Sequence, residues 1–367
     1  KFYKLVKASA MLGLILAPFS LSAQDKEHNV NLINVAHHIE TLASDTFQGR
    51  GPLTEGETLT INYLAKQYQA MGLQGGNSHA QKSSSLAQYL QPVPMAQITP
   101  DQNMRLQIGE LSFIAGSDFT ARTEQMNTQI TLKDSELVFV GYGINAPEYQ
   151  WNDYANVDVT GKTVIVLVND PGFATQNPSL FTGNAMTYYG RWTYKYEEAA
   201  RQGAKAVLIV HETAPAAYPW SVVESSNTGS KYTLVDNEQN TSKLPIMGWL
   251  QLAATEQVFE QSGLNYQQLK KQALHSNFSP VTLQQTANLR LKNTISQATS
   301  HNVLATITGS KYPHEYVLVG AHWDHFGTKQ TDDGDIIYNG AVDNASGVAG
   351  TLEMARMLKA QHDVKPF

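Results

Sequence analysis

Residues 316–347, YVLVGAHWDHFGTKQTDDGDIIYNGAVDNASG, decide how this chain is read. Four apolar residues (Tyr316, Val317, Leu318, Val319) running into Gly320 and Ala321 predict a buried strand of a mostly parallel sheet. Ligand-binding side chains gather at the carboxyl ends of such strands, and His322 stands there. Asp324, two residues on, is spaced to accept the second imidazole N–H, which fixes the tautomer and raises the basicity of the other nitrogen. Asp343 precedes Asn344-Ala345-Ser346-Gly347, which lead into a helical pattern with Val348, Leu352, Ala355 and Leu358 on one face. A carboxylate just ahead of a helix gains from its first N–H groups and stays ionised, as a metal ligand must.

The run His322-Trp323-Asp324-His325-Phe326-Gly327, followed by Asn339-Gly340-Ala341-Val342-Asp343-Asn344-Ala345-Ser346-Gly347, resembles the co-catalytic zinc aminopeptidases of metallopeptidase family 28. The resemblance implies an α/β fold: a mixed, mostly parallel sheet flanked by helices, of the zinc exopeptidase, phosphorylase/hydrolase-like kind. It implies two zinc ions (Zn2+), with His322 the terminal ligand of one, Asp343 bridging both, Asp324 orienting His322 from behind, and a cis Asp343–Asn344 peptide bond. The family pattern continues with a Glu-Glu pair supplying a general base and a ligand, then an Asp and a His. Residues 344–367 offer no position for these, and residue 1 is Lys, so the expectation is a fragment truncated at its C-terminus and cut at both ends. Peptide substrates follow from the resemblance, with removal of N-terminal residues by metal-activated water as the leading activity. Carboxypeptidase and glutaminyl cyclase activities, and a non-catalytic binding protein keeping the fold, are the alternatives.

Other candidates take structural readings. Glu197-Glu198 is the single Glu-Glu pair, but it precedes His322 and lies in a helical run, Tyr188 to Gln202, where Glu197 and Arg201 are spaced i, i+4 as on a solvated face. His325 follows His322 by three residues and is read as lining the cleft or supporting a ligand. Asp332, Asp333 and Asp335 lack the further oxygen ligands of a calcium loop. His37 and His38 are adjacent on a helix and point to different faces. Arg50, in Gly49-Arg50-Gly51-Pro52, is read as tying its loop to the core.

The 367 residues are 42% hydrophobic, enough for about two domains with sizeable cores. Lys1, Lys4 and Lys7, the apolar run Ala8 to Pro18 and the small-residue site Leu21-Ser22-Ala23 predict a signal peptide over 1–23. That run is short for a bilayer span, so no stable membrane insertion is expected after cleavage. Removing the signal takes three lysines and no acids, moving the net charge from −6 to −9, which excludes nucleic acid as a natural partner. With no cysteine, an exported protein depends on core burial and bound metal, which suits a bacterial periplasmic or secreted enzyme.

Along the chain, periodicity predicts helices over Asn29 to Ala43 and from Glu55 to a Gly72 cap. Strands are expected at Tyr89 to Met95 and Met104 to Phe113, then at Leu137 to Ile144, Thr163 to Val168, Ala206 to Val210 and Leu244 to Trp249. The stretch VFVGYGINAPEYQWNDYANVDVTGKTVIVLVND, residues 138–170, resembles the protease-associated domain inserted in this family. The expected organisation is 24–130 as the early part of the peptidase domain, 131–285 as that insertion, and 286–367 as the first part of the zinc-binding domain.

Overall fold

The computed structural model describes residues 29–77, 80, 85–332 and 334–364. The chain divides into two compact units, one formed by the chain up to Pro92 together with Ser300–Phe367, the other by Val93–Thr299. The signal-peptide segment, residues 1–23, lies outside the described residues.

The first unit begins with helix α1 (Leu32–Leu42), whose N-cap Asn31 accepts the Ile33 and Asn34 N–H groups on its side-chain oxygen. Burial is confined to its later turns, at His38 and Leu42, whereas Val30 and Ile33 of the predicted apolar face are 57% and 80% exposed. A turn through Phe47, Gln48, Gly49 and Arg50 leads to α2 (Glu55–Ala70). Thr54 caps α2 through Gly56 N–H, and Glu57 reaches back to Leu53 N–H at 2.6 Å, so the T-x-x-E residues cover donors one position ahead of those of the regular capping box. Gly72, at φ +71°, closes the helix.

The second unit is a mixed sheet. Its strands are β1 (Leu90–Pro100), β2 (Arg105–Ile108), β3 (Leu111–Ile114), β4 (Phe119–Arg122), β5 (Gln129–Phe139), β6 (Thr163–Leu167), β7 (Ala206–His211), β8 (Lys231–Leu234), β9 (Ile246–Gln251) and β10 (Val281–Val303). They run in the order β8-β1-β10-β5-β6-β7-β9-β4, with the β2–β3 hairpin added on β10. The centre, β5-β6-β7-β9, is parallel, while β4 and β10 are antiparallel to it. Strands buried on both faces need near-continuous apolar runs, and β6 and β7 have them, with Thr163 and His211 as the polar end residues. Ile165, Leu167, Leu208 and Val210 pack on one side with α4 (Leu252–Gln261) and α5 (Tyr266–Gln272), and Val164, Val166, Val207 and Ile209 on the other with α3 (Trp192–Arg201). The predicted strand Met104 to Phe113 is a hairpin instead, because Gly109 at φ +54° turns the chain.

Within the same unit, Glu198 is buried and pairs with Arg201 at 2.8 Å, three residues on, while Glu197 accepts the Tyr188 hydroxyl. The expected solvated Glu197–Arg201 pair is therefore replaced by a packed one.

Returning to the first unit, Ala305–Thr306 pairs with Gln74–Gly75, and a ribbon of β11 (Thr328–Thr331) and β12 (Gly334–Ile337) precedes α6 (Ser346–Val364). Ala345, Val348 and Leu352 close a small core with Leu42, Phe47 and Leu64. The expected buried strand at Tyr316 to Val319 is overturned: the segment has no regular structure, and Val317 and Leu318 are 93% and 92% exposed. Among the described residues no strand pairs with it, and a parallel strand is buried only by neighbours on both edges and helices on both faces.

Candidate metal centre

His322 and Asp324 sit on the irregular loop that follows Val319, and Asp343 sits on the turn that opens α6. The structure brings the three together. His322 Nε2 lies 3.2 Å from Asp343 Oδ1. On the other side of the ring, Nδ1 lies 3.2 Å from the Asp324 carbonyl oxygen and 3.3 Å from Asp324 Oδ1. Both ring nitrogens therefore face acceptors, and a neutral imidazole carries one N–H. With the proton on Nε2 the ring donates to Asp343; with the proton on Nδ1 the Nε2 lone pair points at a carboxylate oxygen, an arrangement that a second proton or a metal ion between them satisfies.

The separation fits a metal. Two ligands each about 2.0–2.1 Å from one zinc at a tetrahedral angle lie about 3.3–3.4 Å apart. His322 and Asp343 side chains are 56% and 68% exposed, so the pair faces solvent. Among the described residues, no three His, Cys, Asp or Glu side chains converge to hold a metal ion by themselves. The site is thus a histidine and a carboxylate sharing one side, with Asp324 behind the histidine.

The loops that carry these residues are held by main-chain contacts to the Gly49-Arg50 turn. Gly49 O accepts Gly327 N–H at 3.0 Å, Arg50 O accepts His325 N–H at 3.2 Å, and Gly327 O accepts Tyr338 N–H at 3.0 Å. Gly49 adopts φ +63°, and a Cβ there would sit 2.3 Å from Gly327 O and 2.6 Å from Tyr338 O, so only glycine permits this approach. The Arg50 side chain is fully buried and donates to Trp323 O at 2.9 Å, Leu42 O and Asn339 O at 2.6 Å each, and Gly340 O at 2.7 Å. Burial lowers its pKa from the usual arginine value, and the carboxylates of Asp324 and Asp343 oppose that shift.

His325 is turned away from the pair: its Nδ1 lies 2.9 Å from Tyr338 O and its ring packs beside Phe326. Glu197 and Glu198 belong to the other compact unit. The Asp343–Asn344 bond is cis. Two asparagines escaped the sequence reading. Asn339 donates to Ala43 O and Asp45 Oδ1 at 2.8 Å each, and Asn344 accepts Gly347 N–H at 3.2 Å while donating to His322 O at 3.4 Å. The Asn-Gly dipeptide at 339–340 was the available signal, since it marks a tight turn.

Comparison with known proteins falls on this segment. Residues 302–366 match the family description "Peptidase family M28". Two curated proteins named "Probable zinc metalloprotease" are similar: that of Pyrenophora teres f. teres is 48% identical over 56 residues, and that of Pyrenophora tritici-repentis 46% over 56 residues. Each of these matches covers 15% of this chain and 12% of the relative, so only a small part of either protein is compared. Among solved structures, an aminopeptidase from Aneurinibacillus sp. strain AM-1 aligns at 20% identity and TM-score 0.43, covering 92% of this chain and 60% of that one. A zinc aminopeptidase from Bacillus subtilis aligns at 17% identity and TM-score 0.37, covering 90% and 59%. The segment 302–366, which carries His322, Asp324 and Asp343, is thus the part of the chain that is similar to peptidase family M28.

Proposed function

We propose that this chain carries part of the metal centre of a two-zinc exopeptidase, with His322 and Asp343 as ligands, Asp324 as the group that orients His322, and removal of N-terminal residues from peptides as the activity. The observation that supports it most is the 3.2 Å approach of His322 Nε2 to Asp343 Oδ1, inside the segment matched to the family. Bound zinc would supply Lewis-acid polarisation of the scissile carbonyl and activation of the attacking water. The chain's own residues have simpler tasks. Asp324 takes the Nδ1 proton's hydrogen bond and keeps the Nε2 lone pair free, and Asp343 offers a carboxylate whose second oxygen is open to another cation.

The general-base glutamate and the further ligands implied by the family resemblance have no counterpart in residues 1–367, so the 367 residues alone are proposed to be inactive. The unit Val93–Thr299 is proposed to contain a protease-associated insertion, a reading supported by the sequence of residues 138–170. Export to the periplasm or beyond rests on residues 1–23; among the described residues no helix is long and apolar enough to cross a membrane. The retained histidine and two carboxylates favour the enzyme over a non-catalytic binding protein.

The test is a zinc titration of the full chain against a chromophoric chelator, with His322→Ala and Asp343→Ala beside it, and hydrolysis of an aminoacyl p-nitroanilide measured in parallel. A saturable zinc site lost in both variants, without hydrolysis, is the expected outcome. Zinc binding untouched by either substitution overturns the ligand assignment. Turnover by the zinc-loaded chain at an ordinary enzymatic rate overturns the proposed inactivity.

A further inference from the structure

The metal-bearing loops have little regular structure of their own. Residues 320–327 and 338–340 lie in neither helix nor strand, yet the first stretch carries His322 and the second leads into the turn that carries Asp343. One side chain reaches both. Arg50, fully buried, donates to the carbonyl of Trp323, the residue after His322, and to the carbonyls of Asn339 and Gly340, a few residues before Asp343. Its fourth bond, to Leu42 O, anchors the guanidinium to the end of α1. All four acceptors are main-chain oxygens, so what is fixed is the course of the two loops rather than the rotamer of any one side chain.

We infer that Arg50 is the positioning residue of the metal centre: it clamps the His322 loop to the Asp343 loop and so sets the distance between the two ligands. The inference rests on the proposed ligand assignment and deepens it. A planar, five-donor guanidinium is needed, because the acceptors approach it from the Nε side and from both terminal nitrogens. A lysine keeps the charge but presents its donors from one point and cannot span both loops. Gly340 completes the fit. At φ +60°, a Cβ there would lie 2.6 Å from Arg50 Nη2 and 2.7 Å from His325 Cγ, so the loop can approach the guanidinium only as glycine.

The experiment is a Co2+ titration of the full chain, followed by the visible d–d bands that report ligand geometry, on the wild type, Arg50→Lys, Arg50→Gln, His322→Ala and Leu64→Ala. Leu64 lies in the hydrophobic core of the same unit and takes part in none of the four Arg50 hydrogen bonds, so Leu64→Ala controls for lost stability. The expected result is a wild-type signal abolished by His322→Ala, weakened in affinity about 10–100-fold with altered bands in both Arg50 variants, and retained in folded Leu64→Ala. Wild-type binding that Arg50→Lys and Arg50→Gln leave within about twofold overturns this inference and spares the metal assignment. Equal losses in Leu64→Ala and the Arg50 variants also overturn it, as does failure of both Arg50 variants to fold, since Arg50 would then be a stability element alone. A wild type with no saturable Co2+ signal overturns the metal assignment and this inference together.

Discussion

Gly49 and Gly72 form a natural matched pair for testing how the loops that carry His322 and Asp343 are held. Both lie in the first unit and both adopt the left-handed region, at φ +63° and +71°. Replacing either with alanine incurs about 1–2 kcal/mol for an L residue in that conformation, offset by about 0.4–1 kcal/mol from the stiffer unfolded chain. For Gly72→Ala little more is added, because the nearest heavy atom to the new methyl is the end of the flexible Lys359 side chain at 3.9 Å. For Gly49→Ala three main-chain atoms lie inside 3.0 Å: Gly327 O, Tyr338 O and Gly327 C. None can rotate aside, so the loops must move, at about 1–3 kcal/mol for overpacking. The hydrogen bonds Gly327 N–H to Gly49 O and Tyr338 N–H to Gly327 O are strained or broken, at about 0.5–1.5 kcal/mol each. Gly49→Ala should therefore destabilise the loops by roughly 2–6 kcal/mol more than Gly72→Ala. Native-state hydrogen exchange, followed by mass spectrometry on peptides spanning 321–345, reads this local free energy directly. Equal protection of those peptides in the two variants would refute the idea that loop position depends on backbone packing at Gly49.

Further expectations concern single side chains. Asp324→Ala should lower zinc affinity about 10–100-fold while barely changing the unfolding midpoint, because the Asp324 side chain is about half exposed and its partner is the His322 ring; an unchanged affinity would remove Asp324 from the site. In the second unit, the Lys195 ammonium is fully buried and donates to Tyr142 O, Asn169 O and Tyr189 O at 2.7–2.8 Å, with Asp153 and Asp170 facing it. Burial pulls its pKa down from 10.5 to about 7, so between those values the unfolded chain binds a proton that the folded chain does not. Stability from this group is flat below that window and rises with pH across it, by on the order of 5 kcal/mol in total. Urea unfolding at a series of pH values should show the rise in the wild type and not in Lys195→Met; the same slope in both would show that Lys195 keeps an ordinary pKa. Truncating the core between α1, α2 and α6 with Leu352→Ala, at a side chain with no exposure, should cost about 2–5 kcal/mol in the first unit, and a loss under about 1 kcal/mol would mean that this core repacks freely.

What the sequence disclosed depended on how local its cause was. The capping of α2 is written in Thr54 and Glu57, the end of that helix in Gly72, and the strands β6 and β7 in unbroken apolar runs, because each is decided within a few residues. The approach of His322 to Asp343 spans 21 positions and was reached through the resemblance of motifs, not through spacing alone. Glu198 escaped because helical periodicity ranks the turn's neighbours and says nothing of Tyr194, Asn145 and Gln202 gathering around one carboxylate.

The segment Tyr316 to Val319 carries the opposite lesson. Its residues are as apolar as those of β6, yet two of them are almost wholly exposed where β6 is buried throughout. The difference lies in the neighbours: β6 pairs with β5 on one edge and β7 on the other and is covered by packed side chains on both faces. Strand propensity measures how well a residue suits a pleated surface that other strands provide, so it foretells burial only where those strands exist. The loops that carry His322 and Asp343 obey the same logic from the other side. His322 and Asp324 follow that unpaired segment, with no described ladder to fix them, and their placement passes to the Gly49-Arg50 turn and its chain of main-chain hydrogen bonds. That turn lies some 270 residues upstream of His322, so the features that hold the two loops are encoded far from the residues the loops carry.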